Sequence, residues 1–142
     1  MPTQIDIMSP SSCVSYGLRR ASRLSAKLYD AALKPAGLRN TQFTLLSTLV
    51  FEGPLSIGEL SEALATDGTT LNRNIDVMIK YGFVENTDGG DDERVRRVQA
   101  TPSGKLKYQE ALPFWNMAQE NMIQILGADN WARILTDLKR IE

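Results

Sequence analysis

Between Cys13 and Lys34 the apolar residues Val14, Leu18, Ala21, Leu28 and Ala32 recur at spacings of three, four or seven, which places them on one stripe of a helix. Pro35 and Gly37 end that helix, because proline cannot continue the hydrogen-bond ladder and glycine accepts a turn. Asn40 suits the N-cap of a second helix, with Phe43, Leu46, Leu49 and Val50 facing inward and Gly53-Pro54 as its stop. Ser56 and Glu59 have the spacing of a capping box and open a third helix lined by Ile57, Leu60 and Leu64. A fourth helix starts near Asp67 and closes at Gly82. At about 100° per residue, Leu71, Ile75, Met78 and Ile79 share one of its faces. Thr69, Arg73, Asp76 and Lys80 fall opposite, with Asn72 and Val77 at the margins.

The period then changes. Phe83 to Asn86 reads as a strand, Asp88 to Asp92 as a glycine-bearing turn, and Arg94 to Ala100 as a returning strand with Val98 and Ala100 on one side. Together they make a hairpin with a charged tip. Thr101-Pro102 has the form of a cap followed by a first-turn proline. The fifth helix it opens is predicted to reach about Leu126, with a kink near Pro113. Trp131, Ile134, Leu135, Leu138 and Ile141 outline a sixth, amphipathic helix. The fold class is therefore mainly α with a small β-hairpin, in the order of a winged helix-turn-helix followed by further helices.

Composition narrows the function. The 142 residues fit one structural domain, and no apolar run approaches the ~18 residues of a bilayer span. Residues 1–12 are expected to form an arm, since Met1 to Pro10 lacks the basic and apolar stretches of a signal peptide. The chain has one cysteine, Cys13, and no histidine. That removes the Ser-His-Asp relay, the Cys-His pair and histidine metal sites, so neither an enzyme, a metal nor a cofactor is expected. A single thiol also fits a reducing, cytoplasmic setting.

Net charge is −1, but its distribution is uneven. Cys13 to Asn40 carries six cations against the single acid Asp30, whereas Thr41 to Gly104 carries five cations against ten acids. A nucleic-acid reader ordinarily shows a basic footprint, so DNA contact here has to rest on local placement. In a helix-turn-helix the second helix enters the major groove. Here that helix presents Thr69, Thr70, Asn72, Arg73 and Lys80. Arginine can grip guanine bidentately, asparagine can do the same for adenine, and the helix N-terminus can hold a phosphate. An isolated polar helix face is ordinarily just solvated. The hairpin arginines Arg94, Arg96 and Arg97 change that balance, because a narrow minor groove attracts such side chains.

Four segments, in order, resemble the MarR family of bacterial winged-helix regulators. Gly37 to Phe43 is similar to that family's lead into its second helix and Leu55 to Leu64 to its third. Thr69 to Val84 is similar to its recognition helix, and Asp91 to Gly104 to its wing signature. The resemblance implies a cytoplasmic homodimer joined through the terminal helices, binding double-stranded DNA at pseudo-palindromic operators. It also implies repression relieved by a ligand or oxidant. The family's wing arginine falls on Arg94 and its wing aspartate on Asp92, which would orient Arg94. The resulting layout is an arm at 1–12, a dimerisation helix at 13–38, the winged unit at 39–104 and two dimerisation helices at 105–142.

The apolar residues Leu112, Trp115, Met122, Ile125, Trp131, Leu135 and Leu138 independently exceed what one small winged unit can cover, and are expected to meet a partner protomer. Arg19, Arg20 and Arg23 are candidates to meet the carboxylate of a small aromatic effector. One branch of the family senses organic peroxides with an early cysteine held by tyrosines, which makes Cys13 a redox candidate beside Tyr16 and Tyr29. Tyr16 follows Cys13 at three residues where that branch has four, which favours an inert thiol. The negative balance of the winged region leaves a protein-interaction module as the alternative.

Overall fold

The computed structural model describes residues 9–88, 92 and 94–141. Most of the expected arm, residues 89–91 and 93 of the hairpin, and residue 142 thus lie outside the described residues. A 3-10 turn, Pro10–Ser12, leads into α1 (Val14–Leu33). A second 3-10 turn over Lys34–Ala36 and Gly37, whose φ of 74° is left-handed, redirect the chain. There follow α2 (Asn40–Glu52), β1 (Leu55–Ser56), α3 (Ile57–Leu64), α4 (Gly68–Lys80), β2 (Val84–Thr87), β3 (Arg97–Ala100), α5 (Pro102–Leu126) and α6 (Ala128–Leu138).

The cap of α2 is Arg39, and Asn40 is already helical. The reason is that the first amides find other acceptors. Gln42 Oε1 accepts from the Arg39 N–H at 3.0 Å, and Asp30 of α1 accepts from the Asn40 N–H at 2.6 Å. The lone acid of the basic first segment is therefore bound to a helix N-terminus, where negative charge is favoured. The capping box of α3 forms as its spacing predicts. Ser56 Oγ accepts from the Glu59 N–H at 3.1 Å, and the Glu59 carboxylate accepts from the Ser56 N–H at 2.7 Å.

The sheet has three antiparallel strands in the order β1-β3-β2. Leu55 faces Val98, Val84 faces Ala100 and Thr87 faces Arg97. The returning strand is shorter than its sequence pattern suggests. Pairing begins at Arg97, while Arg94 lies in a turn whose Val95 N–H donates to Asp92 O. The first strand is likewise displaced to Val84–Thr87. Phe83 is taken up by the end of α4, its N–H donating to Met78 O. β1 is an added strand of two residues, too short to leave an alternation pattern.

The core gathers the inner faces of α2 and α4, Leu60 of α3, Val84 and Val98 of the sheet, Leu33, and Ala111 of α5. Phe43 is stacked between Tyr108 at 5.5 Å and Trp115 at 5.7 Å, and Trp115 also approaches Tyr29. Trp115 and Leu112 therefore pack against the winged unit, not on a free face as expected from sequence. The stack of Phe43 draws them inward. Pro113 lies within α5 without ending it.

The start of α5 is fixed by close backbone approach. Thr101 caps the helix through the Gly104 N–H at 2.9 Å, its hydroxyl donates to Gly82 O at 2.6 Å, and its N–H donates to Phe83 O at 3.0 Å. A Cβ on Gly104 would sit 2.0 Å from Phe83 O. Gly104→Ala should therefore destabilise the fold by about 3 kcal/mol. Gly17→Ala, in open space on α1, should stabilise it by about 0.5–1 kcal/mol. Urea unfolding at matched protein concentration measures both, and equal midpoints for the two variants would contradict this packing.

Two exposed capping carboxylates give a pH dependence with a defined sign. The Ser56 backbone and hydroxyl hold Glu59 below its ordinary range, and the Thr70 backbone and hydroxyl do so for Asp67. A carboxylate with a depressed folded pKa contributes stability that is present above its unfolded value and lost as pH falls through its folded one. Asp67→Asn and Glu59→Gln should each flatten the acid side of the stability curve below about pH 4. An unaltered curve in denaturant titrations from pH 6 down to pH 3 would exclude this assignment.

Candidate nucleic-acid interface

α4 buries Leu71, Ile75 and Met78 and exposes Thr69, Arg73, Asp76 and Lys80. The 100° periodicity thus sorts this helix correctly. Among the described residues, the Arg73 guanidinium has no hydrogen bond or ion pair and stands free on the outer face. The N-terminus of α4 is not open to a phosphate in the way the sequence suggested. Asp67 occupies it, accepting from the Thr70 N–H at 2.9 Å and the Thr70 hydroxyl at 2.8 Å. Thr70 is thereby engaged in the cap.

The three hairpin arginines have separate placements. Only Arg94 projects. Its side chain is 91% exposed, and Asp92 accepts from both its N–H at 3.0 Å and its Nε at 3.2 Å. Asp92 and Arg94, the two wing positions of the family pattern, are thus in direct contact. Arg97 turns back onto the body, donating to Pro54 O at 3.1 Å and approaching Glu59 at 3.5 Å. Arg96 reaches under the wing. Its Nη1 donates to Asn72 Oδ1 at 2.7 Å, its Nη2 to Asp76 Oδ1 at 3.0 Å and its Nε to Asn86 Oδ1 at 3.0 Å. The Arg73–Asp76 pairing that their helical spacing allows does not form, because Arg96 claims the carboxylate.

Sequence reasoning missed Asn86 and Asp30. Both act across elements on groups 10 residues away in the chain, and no local pattern marks such a partner. The structure brings Asn72, Asp76, Asn86 and Arg96 into one cluster, with Arg73 and Lys80 further out on the same helix. It leaves Arg94 apart from that cluster, paired with Asp92 at the wing.

On the far side, α1, α5 and α6 enclose an apolar groove of about 920 Å³ lined by Leu18, Leu28, Met122, Ile125, Trp131, Leu135 and Leu138 among others. Tyr29 donates to Gln119 on its wall, and burial raises the Tyr29 pKa. Arg19, Arg20 and Arg23 lie on a different face of α1, where with Tyr16, Leu24 and Lys27 they border a hollow of about 350 Å³. Every wall of that hollow comes from one helix. Cys13 is exposed at the N-cap of α1. At ~1.5 Å per residue, Tyr29 lies about 24 Å further along the same helix. No described helix is long and apolar enough to cross a membrane.

Comparison with known proteins agrees with this architecture. The MarR family profile matches residues 36–95, the span from the turn before α2 to the wing. The uncharacterized HTH-type transcriptional regulator YwoH of Bacillus subtilis is 30% identical over 93 residues, covering 66% of this chain and 67% of that protein. The multiple antibiotic resistance protein MarR of Salmonella typhimurium is 28% identical over 117 residues, 81% of each chain. A crystal structure of the M. tuberculosis transcriptional regulator MosR in complex with DNA is 34% identical, with a TM-score of 0.80 over 91% of this chain and 92% of that one. With the winged unit, its flanking helices and these relatives in agreement, the chain belongs to the MarR family of winged-helix transcriptional regulators.

Proposed function

We propose that the protein is a homodimeric repressor that binds a pseudo-palindromic operator, with α4 in the major groove and the wing at the minor groove. The observation that carries this reading is the outer surface of the winged unit. The free Arg73 of α4 and the 91%-exposed Arg94 of the wing are cations on the two elements that such a fold offers to a duplex. The DNA complex of MosR supports it. The apolar groove supports the dimer, since its lining from α1, α5 and α6 is suited to a second copy. A small aromatic acid is the effector that Arg19, Arg20 and Arg23 would recognise, with the partner protomer supplying the wall that one helix cannot.

The decisive experiment is a band shift on duplex DNA from upstream of the protein's own gene, against a scrambled duplex, over a salt series. Arg73→Ala should lose ~1–3 kcal/mol on the operator and less on scrambled DNA. Arg94→Ala should weaken both alike and reduce the salt slope by about one unit. Equal loss on both duplexes for Arg73→Ala would remove its base-reading role. Loss for neither variant would favour the protein-interaction reading.

Leu138→Asp should raise the dimer dissociation constant by roughly 30-fold or more, because it places a charge on the groove. Sedimentation of the wild type as a monomer at micromolar concentration would sink the dimer. Operator binding should respond to organic peroxide identically in the wild type and in Cys13→Ser, since Tyr16 follows Cys13 at three residues where the peroxide-sensing branch has four. Release of DNA only in the wild type would establish the thiol as the sensor.

A further inference from the structure

We propose that Arg96 is a clasp that sets the angle between wing and recognition helix. In this role Arg96 and Asn72 act on DNA recognition by positioning rather than by touching bases. The inference rests on the operator-binding reading above and assigns roles within it.

The geometry is a three-point hold. Each of the three guanidinium nitrogens of Arg96 donates to a different residue, two on α4 and one on β2. Asn72 and Asp76 are one helical turn apart and so present their oxygens side by side. Asn86 stands on the strand that enters the wing. A planar fork can satisfy acceptors on two elements only at one relative orientation of those elements. The Arg96 side chain is 33% exposed, so the hold is partly shielded from solvent.

Asn72 is bound at both ends of its amide. Its Oδ1 accepts from Arg96, and its Nδ2 donates to Gly68 O at 2.8 Å. A bidentate contact to adenine needs the oxygen and the nitrogen together, and here each already holds a protein partner that fixes the amide's orientation. Arg73, its neighbour in sequence, has no such partner among the described residues. Base reading on α4 is thereby assigned to Arg73, and Asn72 becomes one end of the clasp. Asp76 has an equally specific place. An acid on a DNA-facing helix repels phosphate, yet here it anchors the arginine that holds the wing.

That opposition gives a test whose sign separates the two roles. Binding is measured for duplex DNA from upstream of the protein's own gene and for a scrambled duplex, alongside thermal unfolding. If Asp76 were only an acid near DNA, Asp76→Ala would tighten binding to both. As an anchor of the clasp, Asp76→Ala should weaken operator binding by roughly tenfold and lower the operator-to-scrambled ratio. Asp76→Asn keeps an acceptor oxygen and should bind at least as well as the wild type.

Arg96→Lys keeps the charge but loses the fork. It should fall by a similar factor, and the double variant Asp76→Ala/Arg96→Lys should be no worse than either single one. Unfolding midpoints should stay near the wild-type value, since partly exposed ion pairs contribute little to stability. Tighter or unchanged operator binding by Asp76→Ala, wild-type binding by Arg96→Lys, or additive losses would each overturn the clasp while leaving operator binding intact. A wild-type protein that does not distinguish the two duplexes would overturn operator binding itself, and the clasp with it.

Discussion

The close approach of α5 to the end of α4 is the constraint on which the arrangement of this protein depends. Thr101 serves three partners within one turn. It caps α5, donates its hydroxyl to Gly82 O and donates its N–H to Phe83 O. Gly104 is what allows this, because any side chain there would collide with Phe83 O. The junction joins the last residue of the sheet, the exit from α4 and the first turn of a 25-residue helix. The direction of α5 is therefore set by the same backbone groups that end the recognition helix. The apolar groove and the outer face of α4 are thereby joined through one hydrogen-bonded junction.

The charge balance of the winged unit looks less unfavourable for DNA once four of its ten acids are located. Glu59 caps α3 and approaches Arg97, Asp67 caps α4, Asp76 holds Arg96, and Asp92 holds Arg94. Each is bound to a backbone amide or a guanidinium, so its negative charge is partly neutralised where it stands. On α4, Arg73 and Lys80 face outward without such a partner among the described residues. Local placement thus reconciles a net negative region with a surface that can meet phosphates. The low surplus of cations also means that each of them carries a larger share of any attraction to DNA.

The parts of this structure that were legible in the sequence are those set by neighbours in the chain. The 3.6-residue period sorted α4 into buried and exposed faces, Ser56 and Glu59 announced the start of α3, and Thr101-Pro102 announced that of α5. What could not be read depends on partners brought together by the fold. Arg96 meets Asn72 and Asp76 across 24 and 20 residues, and Arg97 meets Pro54 across 43. Composition and spacing did not separate the three hairpin arginines, and only the family resemblance singled out Arg94. Trp115 looked like a dimer residue because its apolar character gives no direction, and only the ring of Phe43 supplies one. The cap of α2 lies one residue earlier than the sequence placed it, because Asn40 is drawn into the first turn with its N–H donating to Asp30 of another helix.

Adjacent residues on α1 show how the two halves of the protein are held in register. Tyr29 points to the groove, hydrogen-bonding Gln119 of α5 and lying beside Trp115. Asp30, the next residue, reaches the first turn of α2. One helix therefore grips the long α5 on one side and the entry to the winged unit on the other. Trp115 and Phe43 close the triangle through the core. Since α1, α2 and α5 are locked pairwise, the winged unit cannot swing about the loop at 37–39 without breaking buried contacts. In a symmetric dimer formed at the groove, the distance between the two copies of α4 would then follow from packing around Phe43 and Trp115, and half-site spacing on DNA is a consequence of that distance.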